Sequence, residues 1–148
     1  MAPNPIFTNP IKHPEDTGTG VWRRRVALGQ VGLSAGTLPV VALEKGSIVL
    51  RAYVRVETAF NAATTNELIL GTVADDDGLI TSANAAAGTA GFKTGTGAQI
   101  GQELAEDTQF YAKFTQSGTA ATAGVAEFIV EFANPRNWAH QNRSQDNR

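Results

Sequence analysis

The stretch "SIVLRAYVRVETAF", residues 47–60, decides the fold. Ile48, Leu50, Ala52, Val54 and Val56 recur at every second position, and Val49, Arg51, Tyr53, Arg55 and Glu57 fall between them. Side chains on an extended chain point alternately to opposite faces, so this period of two predicts a half-buried antiparallel strand. Downstream, "NAATTN" (61–66) reads as a hinge and "ELILGTVA" (67–74) as a second strand, closed by "DDDG" (75–78). The same pattern extends in both directions. Upstream, "VWRRRVAL" (21–28) sets Trp22, Arg24, Val26 and Leu28 against Arg23, Arg25 and Ala27. "TLPVVAL" (37–43) is a short strand whose Pro39 suits an edge, and "EKGS" turns the chain into the long strand. Downstream, "DTQFYAKFTQ" (107–116) places Phe110, Ala112 and Phe114 on one face. "GVAEFIVEFA" (124–133) does the same with Ala126, Phe128, Val130 and Phe132. "GLITSA" (78–83) and part of "GFKTGTGAQIG" (91–101) are weaker strands, and 83–98 reads as a long loop. The only helical candidate, "AQIGQELAED" (98–107), carries a glycine in mid-run and reads as a turn at most.

Seven or eight strands in about 113 residues predict an all-β fold, an antiparallel β-sandwich of jelly-roll or Ig-like type, the jelly roll being the first choice. This body spans 21–133. Residues 1–20 hold four of the six prolines and read as an extended N-terminal arm with apolar anchors Ile6, Phe7 and Ile11. Residues 134–148 read as a polar C-terminal tail with Arg136, Arg143 and one large apolar residue, Trp138.

Composition narrows the function. The chain has 148 residues, a formal net charge of −2 and no cysteine. The acidic balance opposes a nucleic-acid role, and the missing thiols remove disulfides, thiolate metal sites and cysteine nucleophiles. The longest apolar runs are too short to span a bilayer. "MAPNPIFTNP" has neither a basic n-region nor an apolar h-region, so synthesis in a cytoplasm is expected.

Three motifs invite a chemical reading. Asp75, Asp76 and Asp77 precede Gly78, but an EF-hand register with Gly78 sixth puts Val73 first and Asn84 twelfth, where acids are required. A solvated turn accounts for them more simply, ahead of a weak calcium site or an acidic patch for a basic partner. The two histidines, His13 and His140, both lie in the arms, which leaves no base for a serine nucleophile and no histidine cluster for a metal. Glu57, Glu127 and Glu131 are the candidates for a carboxylate pair, yet each falls on an outer face where Arg51 or Arg55 is a natural cross-strand partner. "RRR" (23–25) is divided by the strand, which predicts face pairing and an edge guarded by charge, or capture of an acidic partner. No catalytic residue, cofactor or metal is expected.

The segment 36–78, "GTLPVVALEKGSIVLRAYVRVETAFNAATTNELILGTVADDDG", resembles small tailed-bacteriophage head decoration (cement) proteins. The likeness rests on Leu-Pro followed by Gly, the strand ending in "V.TAFN", the Thr-Asn hinge and "L..GT..D.DG", and it covers about a third of the chain. It implies a β-sandwich or jelly-roll subunit on the outer capsid surface that binds an HK97-fold major capsid protein as a homodimer or homotrimer. On that view Ile6, Phe7, Ile11, Arg136, Trp138 and Arg143 are the partner-binding residues. The rival expectation is a carbohydrate- or receptor-binding module of a tail or head fibre, with Tyr53 and Tyr111 on outer faces.

Overall fold

β-branched and aromatic residues at alternate positions favour a pleated, half-buried backbone, and the chain forms seven strands on that basis. The computed structural model describes residues 19–30, 37–84 and 86–134. The strands are β1 (Thr19–Ala27), β2 (Thr37–Leu43), β3 (Ile48–Thr58), β4 (Thr65–Gly71), β5 (Gly91–Thr94), β6 (Thr108–Ser117) and β7 (Val125–Ala133). One sheet has the order β1-β7-β3-β5 and the other β2-β6-β4, with every pairing antiparallel. Each successive strand crosses to the opposite sheet, as in a jelly roll. The eighth place, beside β4, is taken by two isolated bridges, Leu70 to Ile80 and Glu67 to Ala86. "GLITSA" therefore contributes a bridge instead of a strand, and Ser82–Asn84 turn as a short 3-10 segment. The 83–98 loop holds β5.

The core lies between the sheets. Val26, Val54, Val56, Phe128 and Val130 from one sheet meet Leu68, Leu70, Phe110 and Phe114 from the other. Each such side chain gains about 1.5–3 kcal/mol by leaving water, most of it offset by the ordering of the chain. Phe60 closes one end, tilted against Phe114 with ring centroids 4.8 Å apart. The "EKGS" turn forms as expected: Gly46 adopts φ 85°, and the Ser47 amide donates to the Glu44 carbonyl at 3.1 Å.

The long strand departs from its written alternation at the start. Val49 is fully buried, whereas Leu50 is 44% exposed, the reverse of the period-two expectation. The register against β7 slips between Val49 and Arg51, so Leu50 is the extra residue of a β-bulge and inverts the faces before it. A second slip, between Pro39 and Val41, lets Val40 and Val41 both enter the core. On β1 only Val26 of the expected Trp22-Arg24-Val26-Leu28 face is fully buried. Leu28 packs partly on the core, while Trp22 stays 48% exposed at the sheet's edge.

Candidate functional site

Alternation sends one side of each strand in the four-stranded sheet to solvent, and the charges collect there. Cross-strand register aligns Arg25, Glu127 and Arg55 in one row, Arg23, Ile129 and Tyr53 in the next. Arg23 donates from Nε and Nη2 to the two carboxylate oxygens of Glu127, at 3.0 and 2.9 Å. Arg25 Nε and Arg55 Nη2 donate to opposite oxygens of Glu57, at 2.8 and 3.0 Å. Arg51 faces Glu131 at 3.8 Å. The hydrogen bonds from Arg55 and then Arg25 hold the Glu57 carboxyl below its ordinary range. Glu131 and Glu127 thus face Arg51 and Arg55 across strands as the sequence suggests, whereas Glu57 bonds Arg55 along its own strand and reaches Arg25 beyond β7. Charge-assisted hydrogen bonds of this kind tie the arginines and glutamates of the outer face to one another.

Beside the ladder, the Tyr53 and Phe92 rings lie 4.9 Å apart at 33°. Phe92 is 58% exposed. Tyr53 takes the outer face as expected, and Phe92 is an addition that sequence reading missed. Its only signal is one aromatic in the four-residue alternation "GFKT", set in glycine- and threonine-rich chain. Arginine next to aromatic side chains is the composition enriched where proteins meet.

The "DDDG" segment closes β4 as a turn. The Thr72 amide donates to the Asp75 carbonyl at 2.7 Å, and the Asp75 amide donates to Thr72 Oγ1 at 3.1 Å. Asp76 pairs with Lys113 Nζ at 2.8 Å, so the charge expected for a partner's basic residue is met within the chain. The Asp75 carboxyl is pushed above its usual range by burial first, then by Asp77 and the neighbouring charges. Among the described residues no three His, Cys, Asp or Glu side chains converge in a way that would hold a metal ion. Thr72, Val73, Asp76, Tyr111 and Lys113 line a shallow depression of about 190 Å³ on the outside of the three-stranded sheet. Its two charges neutralise each other. Tyr111 also lies on an outer face, opposite Pro39 and Gly71.

The residues singled out from sequence as partner contacts, Ile6, Phe7, Ile11, Arg136, Trp138 and Arg143, lie outside the described residues, as do His13 and His140. Within the described residues no helix is long and apolar enough to cross a membrane.

No family model matches the sequence, and no curated protein matches it. Among solved structures, the chain resembles one from the cyanophage Pam1 capsid asymmetric unit, with a TM-score of 0.66 at 19% identity. The match covers 90% of this chain and 99% of that one, so the two share a fold along nearly their whole length.

Proposed function

We propose that the chain is a structural virion protein, a decoration or cement protein on the outside of a tailed-phage head. It binds an HK97-fold major capsid protein, bridges its subunits and stabilises the shell, acting as a homodimer or homotrimer. The observation that carries this reading is the near full-length fold match to a chain of a cyanophage capsid asymmetric unit. The charged outer face, where four arginines and three glutamates are paired, offers a partner a polar surface.

The work of such a protein is mechanical. A head under internal pressure separates at the junctions between capsomers, and a subunit spanning a junction adds buried interface there. Twenty extended residues reach at most about 65 Å, enough to cross onto a neighbour. We assign residues 1–20 and 134–148 to this bridging, with Ile6, Phe7, Ile11 and Trp138 as apolar anchors and Arg136 and Arg143 meeting acidic capsid surface. Individually weak contacts summed over a lattice retain the subunit through effective concentration.

Co-sedimentation with heads lacking the protein tests this. The full chain should pellet with heads, and deletion of 1–20 and 134–148 should release it. A full chain that stays in the supernatant removes the capsid role, whereas undiminished binding by the truncated chain removes only the arm mechanism. The Tyr53–Phe92 pair, with Phe92 exposed and Tyr53 half-buried, favours a second reading, a carbohydrate- or receptor-binding module of a tail or head fibre. Glycan-array binding lost in Phe92→Ala would favour it over the cement role.

A further inference from the structure

A sheet edge offers unpaired backbone groups to any extended chain, and natural proteins blunt such edges by shortening, proline, bulges or cover. Three of the four edges here are blunted. β5 has four residues, β2 carries Pro39 and a register slip, and β4 is covered by the bridges to Ile80 and Ala86. β1 is different. It runs nine residues in unbroken register with β7, and no described residue pairs with its other side. It also carries two exposed large apolar side chains in succession, Val21 at 57% and Trp22 at 48%.

The direction of its backbone groups follows from the turn after it. The Leu28 amide bonds the Gly124 carbonyl on the β7 side. The Ala27 amide donates to the Gln30 side chain, and the Gln30 amide returns to the Ala27 carbonyl. By alternation, the N–H and C=O groups of Trp22 and Arg24 serve β7, and those of Val21, Arg23 and Arg25 face the open edge.

We infer that the β1 edge is a docking site for an extended segment of another protein, added as an antiparallel strand with a carboxylate opposite Arg24 and an apolar side chain opposite Trp22. Charge selects this occupant. Arg23 and Arg25 are held by Glu127 and Glu57, but Arg24 projects from the other face and forms no ion pair among the described residues. A second copy pairing β1 with β1 brings no carboxylate, because Thr19–Ala27 contains no acidic residue, so Arg24 would stay without an acid or face another arginine. Trp22 and Arg24 are two positions apart on one face, so a strand bearing an acid and an apolar residue at the same spacing satisfies both. The site rests on the proposed capsid role only for whose strand it is.

The test uses the full chain and a short blocked peptide built around Thr-Glu-Thr-Val-Thr, with a Lys-for-Glu version as control. Amide hydrogen exchange should show new protection at Val21, Arg23 and Arg25, with Trp22 and Arg24 already protected by β7. The Lys peptide should bind about tenfold more weakly or worse. Val21→Pro removes an N–H that bonds nothing within the described domain, so it should keep the melting temperature and weaken binding by about tenfold. Arg24→Glu, a surface change that serves if the proline variant does not fold, should reverse the preference towards the Lys peptide. No new protection at saturating peptide, or equal binding of both peptides, overturns the site. So does protection of the three amides without peptide, which would place a segment of this chain or a second copy there. None of these readouts uses a capsid, so a failure here is separable from a failure to bind heads.

Discussion

Phe60 stands where the long strand gives way to the hinge, and replacing it with alanine probes the packing that joins the sheets. The ring is 1% exposed and meets Phe114 at 4.8 Å. Gly124 lies so close that a Cβ there would sit 2.5 Å from Phe60 Cγ and Cε1. The Phe60 amide also donates to the Ala87 carbonyl at 2.9 Å, fixing the loop that fills the missing eighth strand. Since backbone and neighbours are anchored on all sides, the space left by the ring cannot collapse, and the loss should be about 3–5 kcal/mol. For a domain of this size that lowers the melting temperature by roughly 12–20 °C. Urea unfolding followed by circular dichroism should show a lower midpoint with an unchanged slope, which marks lost stability without a changed unfolded state. Phe60→Ala combined with Phe114→Ala should cost less than the sum by about 0.5–1.5 kcal/mol, the share belonging to the ring pair. Phe92→Ala, removing an exposed ring, should cost about 1 kcal/mol or less. A Phe60→Ala loss below about 1 kcal/mol, or equal losses at Phe60 and Phe92, would refute this picture of the core.

Gly97→Ala should destabilise by about 1–3 kcal/mol, because its Cβ would press on the backbone of Gly78 and Leu79, leaving no flexible side chain to yield; a melt equal to wild type would contradict that close approach. Asp75 and Glu57 should respond to pH in opposite senses. The Asp75 carboxyl is raised by burial, so its ionised form costs stability above the raised value and the cost vanishes below the ordinary 3.8. Asp75→Asn should therefore raise the melting temperature near neutral pH and lose that advantage in acid; a lower melt near neutrality would sink the assignment. Glu57 is depressed by Arg55 and Arg25, so its contribution is present above the ordinary 4.5 and is lost as pH falls through the depressed value. Glu57→Gln should lower the melt near neutral pH, not in acid, and the difference should shrink in high salt; a salt-independent deficit would point to packing.

The parts of the fold legible in sequence were those written as alternation. "FIVEF" and "QFYAKF" present period-two faces that their burial reproduces, except that Phe132 is only partly buried, and the outward Glu127 and Glu131 find the arginines opposite them. The places where that reading failed are those where one residue was inserted or the pattern was weak. A bulge leaves no mark in "SIVLR", because Val49 and Leu50 are both apolar and either one satisfies the core. β4 starts at Thr65, inside the supposed hinge, because β6 supplies a ladder that polar Thr65 and Asn66 join without burying bulk. "GLITSA" has strand residues but only one bridge, since the chain turns at Ser82–Asn84 directly after it. The three aspartates were legible as a turn, yet which of them would be paired was not, because Lys113 is brought to Asp76 by a strand 37 positions away. The open β1 edge was illegible for a similar reason. "VWRRRVAL" shows a strand, but an edge exists only once the order of all seven strands is known.

A cryo-electron microscopy map of the intact particle decides whether this chain belongs to the shell. Density for the seven-stranded sandwich should lie on the outer head surface, seated across junctions between capsid subunits. Finding the sandwich only in a tail or fibre, or nowhere in the particle, would contradict that placement.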